Sequence, residues 1–168
     1  MVGNARGGIS DMESLRVRKF VDDDVSATGQ IFFDSVRLGA AEYYDERQRN
    51  AWAAKVPNDD EWRKRLQSQH SFVAQLDTRL AGFMTLDDHG HIDLAFVVPD
   101  LIGKGVARAL YERVEAEALR RGIGRLETEA SHMARRFFDR QGWSVVRQQS
   151  VAKGDVSLTN FIMEKRLV

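Results

Sequence analysis

Apolar and polar positions along the chain follow two rhythms, and the change from one to the other falls near residue 70. At 15–20, Leu15, Val17 and Lys19 alternate with Arg16, Arg18 and Phe20, which predicts a short strand. Helical spacing then takes over. Val25, Ile31, Phe32, Val36 and Ala40 recur near the helical period, behind Asp22 as a cap for a helix beginning near Asp23. The stretch 45–54, which carries Trp52, predicts a second helix. A third opens at Pro57-Asn58-Asp59-Asp60-Glu61, where Asn58 and Glu61 form a capping-box pattern and the acids suit the positive end of the helix. It presents Trp62 and Leu66 and fades near His70.

From Ser71 the period is two. The segments 71–76, 79–86 and 91–98 read as strands, joined by Asp77-Thr78 and by Asp87-Asp88-His89-Gly90. A long amphipathic helix follows Gly103, with Ala107, Leu110, Tyr111, Val114 and Ala118 on one face, and it stops at Arg120-Arg121-Gly122. A strand over 125–130, a short helix over 131–141 ended by Gly142, and strands over 143–152 and 156–165 complete the chain. This order predicts one α+β domain over 14–168, a mixed, mostly antiparallel sheet of about seven strands with helices on both faces. Residues 1–13 are rich in Gly and Asn without periodicity and read as a loose leader.

Composition narrows the function classes. Lys and Arg number 25 and Asp and Glu 25, so no global polyanion-binding surface is expected and nucleic acid is not an expected partner. There is no Cys, which removes disulfides, thiolate metal sites and a Cys nucleophile together. The longest wholly apolar run, 94–98, is far too short to cross a bilayer, and the first ten residues lack an apolar core for secretion. The expectation is a soluble cytoplasmic protein with no membrane partner.

The most informative stretch joins Phe96-Val97-Val98-Pro99 to Asp100-Leu101-Ile102-Gly103-Lys104-Gly105-Val106-Ala107-Arg108. A strand ends at a proline, a Gly-rich turn follows, and a helix begins at once. Free N–H groups and the helix dipole make such a place an anion site, glycine lets a phosphate approach, and Lys104 and Arg108 add positive charge. It is neither a Walker loop nor a dinucleotide fingerprint. A tight strand-to-helix turn alone would explain it equally well.

With these residues in view, the sequence resembles the GNAT superfamily of acyl-CoA-dependent N-acetyltransferases. Their pyrophosphate loop reads Gln/Arg-x-x-Gly-x-Gly/Ala, which Ile102-Gly103-Lys104-Gly105-Val106-Ala107 matches at Gly105 and Ala107 and leaves at Ile102. A second family pattern, Asn-x-x-Ala-x-x-Leu-Tyr-x-x-x-Gly-Phe, is matched in spacing from Ser131 to Trp143, with Ser131 for Asn and Phe138 for Tyr. The segments 41–52 and 157–165 look like a bacterial subgroup. The resemblance implies a sheet splayed between its fourth and fifth strands, with acetyl-CoA as the acyl-donor cosubstrate and no metal. It implies that the backbone of Phe96, Val97 and Val98 pairs with pantetheine, and that Gly103, Lys104, Gly105, Val106, Ala107 and Arg108 hold the pyrophosphate. Ser131 would touch the pantetheine arm or cap its helix. Phe138 would lie along that arm, where many relatives carry a tyrosine that protonates the leaving sulfur. The acceptor would be an amine of a small molecule or peptide, attacking directly in a ternary complex. A homodimer and a non-catalytic acyl-CoA-binding or sensing module are open alternatives.

Acetyl transfer needs an amine without its proton, and a lysine-like amine titrates near 10.4, so a base is useful at neutral pH. Asp93 is the first candidate and His91 the second, both expected on one face of the strand 91–98, opposite Ile92, Leu94 and Phe96. Glu129 is the third. Asp93 could equally pair with an arginine. His89 and His91 invite a metal reading, but two ligands do not fill a zinc shell. Tyr43, Tyr44, Trp52 and Trp62, with Arg37, Glu42, Asp45 and Glu46 nearby, would suit a cationic amine. Aromatics at helical spacing are more often core, and that is the reading preferred here.

Overall fold

The alternating segments pair into two half-sheets that share one seam. The structure, a computed structural model, describes residues 14–168, and the leader expected over 1–13 lies outside them. Strands β1 (Leu15–Lys19), β2 (His70–Leu76) and β3 (Arg79–Leu86) form an antiparallel series that β5 (Ala95–Val97) extends. The second half-sheet begins with β4 (His91–Ile92), which runs parallel to β6 (Arg125–Ala130). Strand β8 (Val156–Arg166) pairs with β6 on one side and with β7 (Ser144–Lys153) on the other.

Five helices are found among the described residues: α1 (Val25–Asp34), α2 (Glu46–Trp52), α3 (Asp59–Gln67), α4 (Val106–Arg120) and α5 (His132–Arg140). Their starts are chemically specified. Asp45 accepts the N–H of Gln48 at 2.8 Å while the Gln48 side chain accepts the N–H of Asp45 at 3.0 Å, a reciprocal cap for α2. Asn58 Oδ1 accepts from Asp60 and Glu61 to start α3. The first helix departs from expectation. A 3-10 turn over Asp22–Asp24 precedes α1, and Asp24 rather than Asp22 takes a backbone donor, the Val21 N–H at 2.9 Å. Asp24 is fixed in that place by a two-pronged pair with Arg18 of β1. After α1 the chain winds through a π-helical turn, Ser35–Gly39, in which Ser35 is buried.

Two cores sandwich the sheet. Leu110, Tyr111 and Val114 of α4 pack with Phe138 and Trp143 against Phe72, Met84, Leu126 and Met163. On the other face Trp62 and Leu66 of α3 and Ile31 of α1 cover Val73, Phe83 and Leu94. Burying a side chain of this size is worth about 1.5–3 kcal/mol, so each helix is held chiefly by its apolar stripe. Trp62 is therefore core, its indole N–H satisfied by Thr28 Oγ1 at 3.0 Å.

The expected single strand over 91–98 is broken, which makes eight strands rather than about seven. Asp87 N–H donates to His91 O and Thr85 N–H to Leu94 O, so two residues, Ile92 and Asp93, stand against the single Leu86. One extra residue is a bulge, and a bulge bends its strand and re-aims side chains. Ile92 accordingly joins the core under α4, whereas Leu94 joins the core under α1 and α3. They do not share a face, as unbroken alternation would require. Before the bulge the chain belongs to the β6 half-sheet and after it to the β3 half-sheet, and the seam opens between β5 and β6.

Candidate active site

Three cavities meet at that opening. The largest, about 590 Å³, lies over the glycine turn and is lined by Gly103, Gly105, Ala107, Arg108 and Arg140. It shares Val97, Ile102, Met133 and Phe137 with a middle cavity of about 440 Å³ running beside Ala95, Phe96 and Val97. Trp52, Phe96 and Ser131 form the wall common to the middle cavity and a polar cleft of about 380 Å³, which holds His91, Asp93 and Glu129.

At the glycine turn the backbone leaves N–H groups unpaired beside the cavity. Gly103 and Gly105 sit at φ of 80° and 89°, a left-handed conformation that costs other residues roughly 1–2 kcal/mol. A Cβ on Gly103 would meet nothing within 4 Å, so the space before it is free. The first intrahelical bond of α4 runs from Ala109 N–H to Gly105 O, which leaves the N–H groups of Val106, Ala107 and Arg108 without an intrahelical partner. No side chain caps this end and no acid lies in its first turn. The Lys104 N–H is turned back onto Leu101 O at 3.3 Å, so among the expected N–H donors it is already engaged. Arg108 lines the cavity while its Nε reaches Glu112 at 3.1 Å. Ile102 is 53% exposed, an apolar residue at the mouth.

Along β5 the ladder decides which backbone groups are free. Thr85 N–H to Leu94 O and Val98 N–H to Ala81 O mark hydrogen-bonded pairs, and antiparallel pairing alternates. Phe96, opposite Phe83, therefore turns its amide and carbonyl toward β3. Val98 is used on both sides, since its carbonyl takes the Leu101 N–H. The groups on the open side belong to Ala95 and Val97, and the Val97 carbonyl is covered by Ser35 Oγ at 2.8 Å. Of the three residues expected to offer backbone here, only Val97 does so, joined by Ala95. Ser35 gave no local signal, because its partner is 62 residues away.

In the polar cleft Asp93 is clamped. Arg65 Nε and Nη2 each donate to its carboxylate at 2.9 Å, and Gln69 Nε2 adds a third bond at 2.9 Å. Burial pushes the Asp93 carboxyl up, but the bonds from Arg65 and Gln69, with the charges of Arg65 and His91, outweigh it and hold it below the usual carboxylate range. Such a group is a weak proton acceptor with most of its lone pairs occupied. Glu129 lines the same cleft, is exposed, and has no hydrogen-bond or ion-pair partner among the described residues. His89 stays in the Asp87–Gly90 turn, outside the cleft, its N–H on Asp87 Oδ1. No group of three metal-ligating side chains is assembled among the described residues.

The remaining predicted residues divide between site and scaffold. Ser131 caps α5 by accepting the Ala134 N–H at 3.2 Å while lining the cavities. Phe138 is 1% exposed, packed on Trp143 with ring centroids 4.6 Å apart, and touches the middle cavity from beneath. Tyr44 is buried, donating its hydroxyl to Thr159 O and accepting the His132 N–H, so its proton is committed. Tyr43 stands on the wall of the middle cavity, its oxygen accepting from Arg136 at 2.7 Å.

Comparisons with known proteins agree with this geometry. The acetyltransferase (GNAT) domain family matches residues 40–166. An Escherichia coli (strain K12) relative, the uncharacterized N-acetyltransferase YafP, is 30% identical over 90% of this chain and 96% of its own length. A crystal structure of a GCN5-related N-acetyltransferase from Rhodopseudomonas palustris is 30% identical and superposes with a TM-score of 0.86 over 92% of this chain and 96% of that one. The putative acetyltransferase yncA from Salmonella typhimurium, solved with acetyl-CoA, shares the fold at 18% identity and a TM-score of 0.72, over 92% of this chain and 95% of its own. With its split fourth strand, glycine turn and family match together, the chain belongs to the GNAT acetyltransferases.

Proposed function

We propose that this protein transfers an acetyl group from acetyl-CoA to a primary amine of a small molecule or peptide, by direct attack in a ternary complex. The observation that carries the reading is the row of three adjoining cavities across the split between β5 and β6. The free groups of Ala95 and the Val97 N–H suit the amides of a pantetheine arm laid along β5 like an added strand. The N–H groups of Gly103, Gly105, Val106, Ala107 and Arg108 suit a pyrophosphate, with Lys104 and Arg108 supplying charge. The cosubstrate, when bound, supplies an acyl thioester at the wall formed by Trp52, Phe96 and Ser131.

The chain's own residues then have distinct tasks. Glu129 takes a proton from the acceptor ammonium, directly or through water, which frees the lone pair. The amine nitrogen forms its bond to the acetyl carbon as the carbon–sulfur bond breaks, and the surplus proton left on nitrogen passes to the departing sulfur, which leaves as the CoA thiol. Asp93 positions rather than abstracts, since it ties Arg65 and Gln69 to the bulge. Tyr43, on the wall of the middle cavity with its oxygen accepting from Arg136, still has its hydroxyl proton to give, the role that Phe138 has no atom to fill.

The test has two readouts: calorimetric binding of acetyl-CoA, and thiol release with a panel of primary amines. Binding with amine-dependent thiol release is the expected result. Binding without release from any amine would favour the non-catalytic module, to which the apolar Ile102 and Phe138 point. No binding would remove the reading altogether.

A further inference from the structure

The acceptor cleft contains two charges that the protein leaves unanswered, and they have opposite signs. Arg65 is spent on Asp93, and Arg47 of α2 is spent on Asp155. That leaves Glu129 near one end of the cleft and Lys153 at the other, neither with a partner among the described residues. A third feature sits beside Glu129. Asn160 lines the cleft, and its buried Oδ1 accepts no hydrogen bond. Leaving a buried acceptor unmet costs about 1–3 kcal/mol, so a donor belongs there when the site is in use.

Strand register sets the spacing. Glu129 stands opposite Ile162 of β8, which makes Asn160 its diagonal neighbour on the same face. Lys153 stands opposite Val156, at the far end of the same strand. The rise from position 156 to 162 is about 20 Å, and a Glu and a Lys side chain, each able to reach roughly 5 Å along the strand, can close the gap between charges to on the order of 10 Å. An α-amino acid is too short to meet both. A diamine of suitable length would bring a second ammonium against Lys153.

We propose that the acceptor is an extended primary amine with an anionic group at its far end, its ammonium held by Glu129 and Asn160 and its anion by Lys153. This rests on the acetyl-transfer reading and adds the acceptor's chemical class to it. The anion's source, a carboxylate or a phosphate ester, is a matter for the arms of the experiment.

Three six-carbon amines differ only at the far end: 6-aminohexanoate, 6-aminohexanamide and 1,6-diaminohexane, with 6-aminohexyl phosphate as the phosphate arm. Calorimetry on the protein–CoA complex and kcat/KM for acetylation should both rank acid above amide above diamine, by roughly fivefold per step as for part-exposed ion pairs. Tighter binding of the phosphate than of the acid would assign the phosphate as the preferred anion. Lys153→Ala should level the ranking and Lys153→Glu should invert it, and the exposed hairpin position of Lys153 favours intact folding of both. Asn160→Ala should weaken all these amines alike, because it touches the end they share. A flat or reversed ranking in the parent, or one that survives Lys153→Glu, would overturn the acceptor proposal. If the acid binds with the expected Lys153 dependence and acetyl-CoA still releases no thiol, the acetyl-transfer reading fails and the acceptor site stands.

Discussion

A carboxylate's neighbours decide whether it can take a proton, and Asp93 and Glu129 are opposite cases in one cleft. Asp93 accepts three hydrogen bonds from Arg65 and Gln69 and is held low, while Glu129 accepts none within the described chain. Asp93→Asn should therefore lower the melting temperature more than it lowers kcat, and alkaline buffer should not restore what is lost. Glu129→Gln should lower kcat by about 10²-fold, with partial recovery at high pH where the amine deprotonates unaided. Rate profiles from pH 6 to 10 for both variants check this, and alkaline rescue of the Asp93 variant alone would reverse the assignment. All three acid–base candidates were legible in the sequence and all three line the cleft, but the clamp on Asp93 was not. The clamp comes from Arg65 of α3, 28 residues away, and no local pattern announces such a partner. Lys153 and Asn160 were missed for the same reason, since the hairpin read only as a turn and two strands.

At the level of elements, helix α4 carries tension-free ends of different kinds. Its first turn is bare of acids and faces the glycine cavity, and its last turn is closed by side chains. There Arg120 and Arg121 both bond Glu117, and their hydrogen bonds, working against burial, hold its carboxyl down to about 2. A folded-state value below the unfolded one contributes stability that is complete above the unfolded value, near 4.3, and fades as pH falls through about 2. Glu117→Gln should thus be less stable than the parent at neutral pH, and the gap should close between pH 5 and 2. Urea melts across that range check it, and a constant gap would mean that the ion pairs contribute nothing. Most elements were readable because their apolar periods and caps are local. The strand over 91–98 was not, because alternation continues across the bulge while the hydrogen-bond partner changes from β6 to β3. Periodicity records which side chains are apolar. It does not record which strand lies alongside.

Across the described residues the two half-sheets are joined where β3 turns into β4, with Asp87 N–H on His91 O, and are separated between β5 and β6. A ligand lying in the gap acts as a bridge, and it stabilises by about 2.7 kcal/mol when present at a hundredfold excess over its Kd. Acetyl-CoA should therefore raise Tm and slow amide exchange at Val97 and in the first turn of α4 more than in β1 or β7. Hydrogen-exchange mass spectrometry with and without the ligand checks this, and protection confined to the surface far from β5 would contradict it. The formal charge balance of 25 against 25 describes the chain and says little about this gap, where Arg108 and Arg140 line the cavity over the glycine turn and, among the described residues, no acid does. The hydroxyl of Ser35 on the Val97 carbonyl has a consequence beyond ligand alignment. An open strand edge is a standing invitation to self-association, because it offers another chain an unmet row of donors and acceptors. Here the edge spans only Ala95–Val97, one of its acceptors is already taken, and Trp52 and Ser131 wall one side of it. A foreign β-strand would find too few contacts in register to settle, whereas a slender amide-bearing arm needs only two or three. The Ser35 hydroxyl on the Val97 carbonyl thus leaves this short edge one acceptor fewer for another chain to pair with.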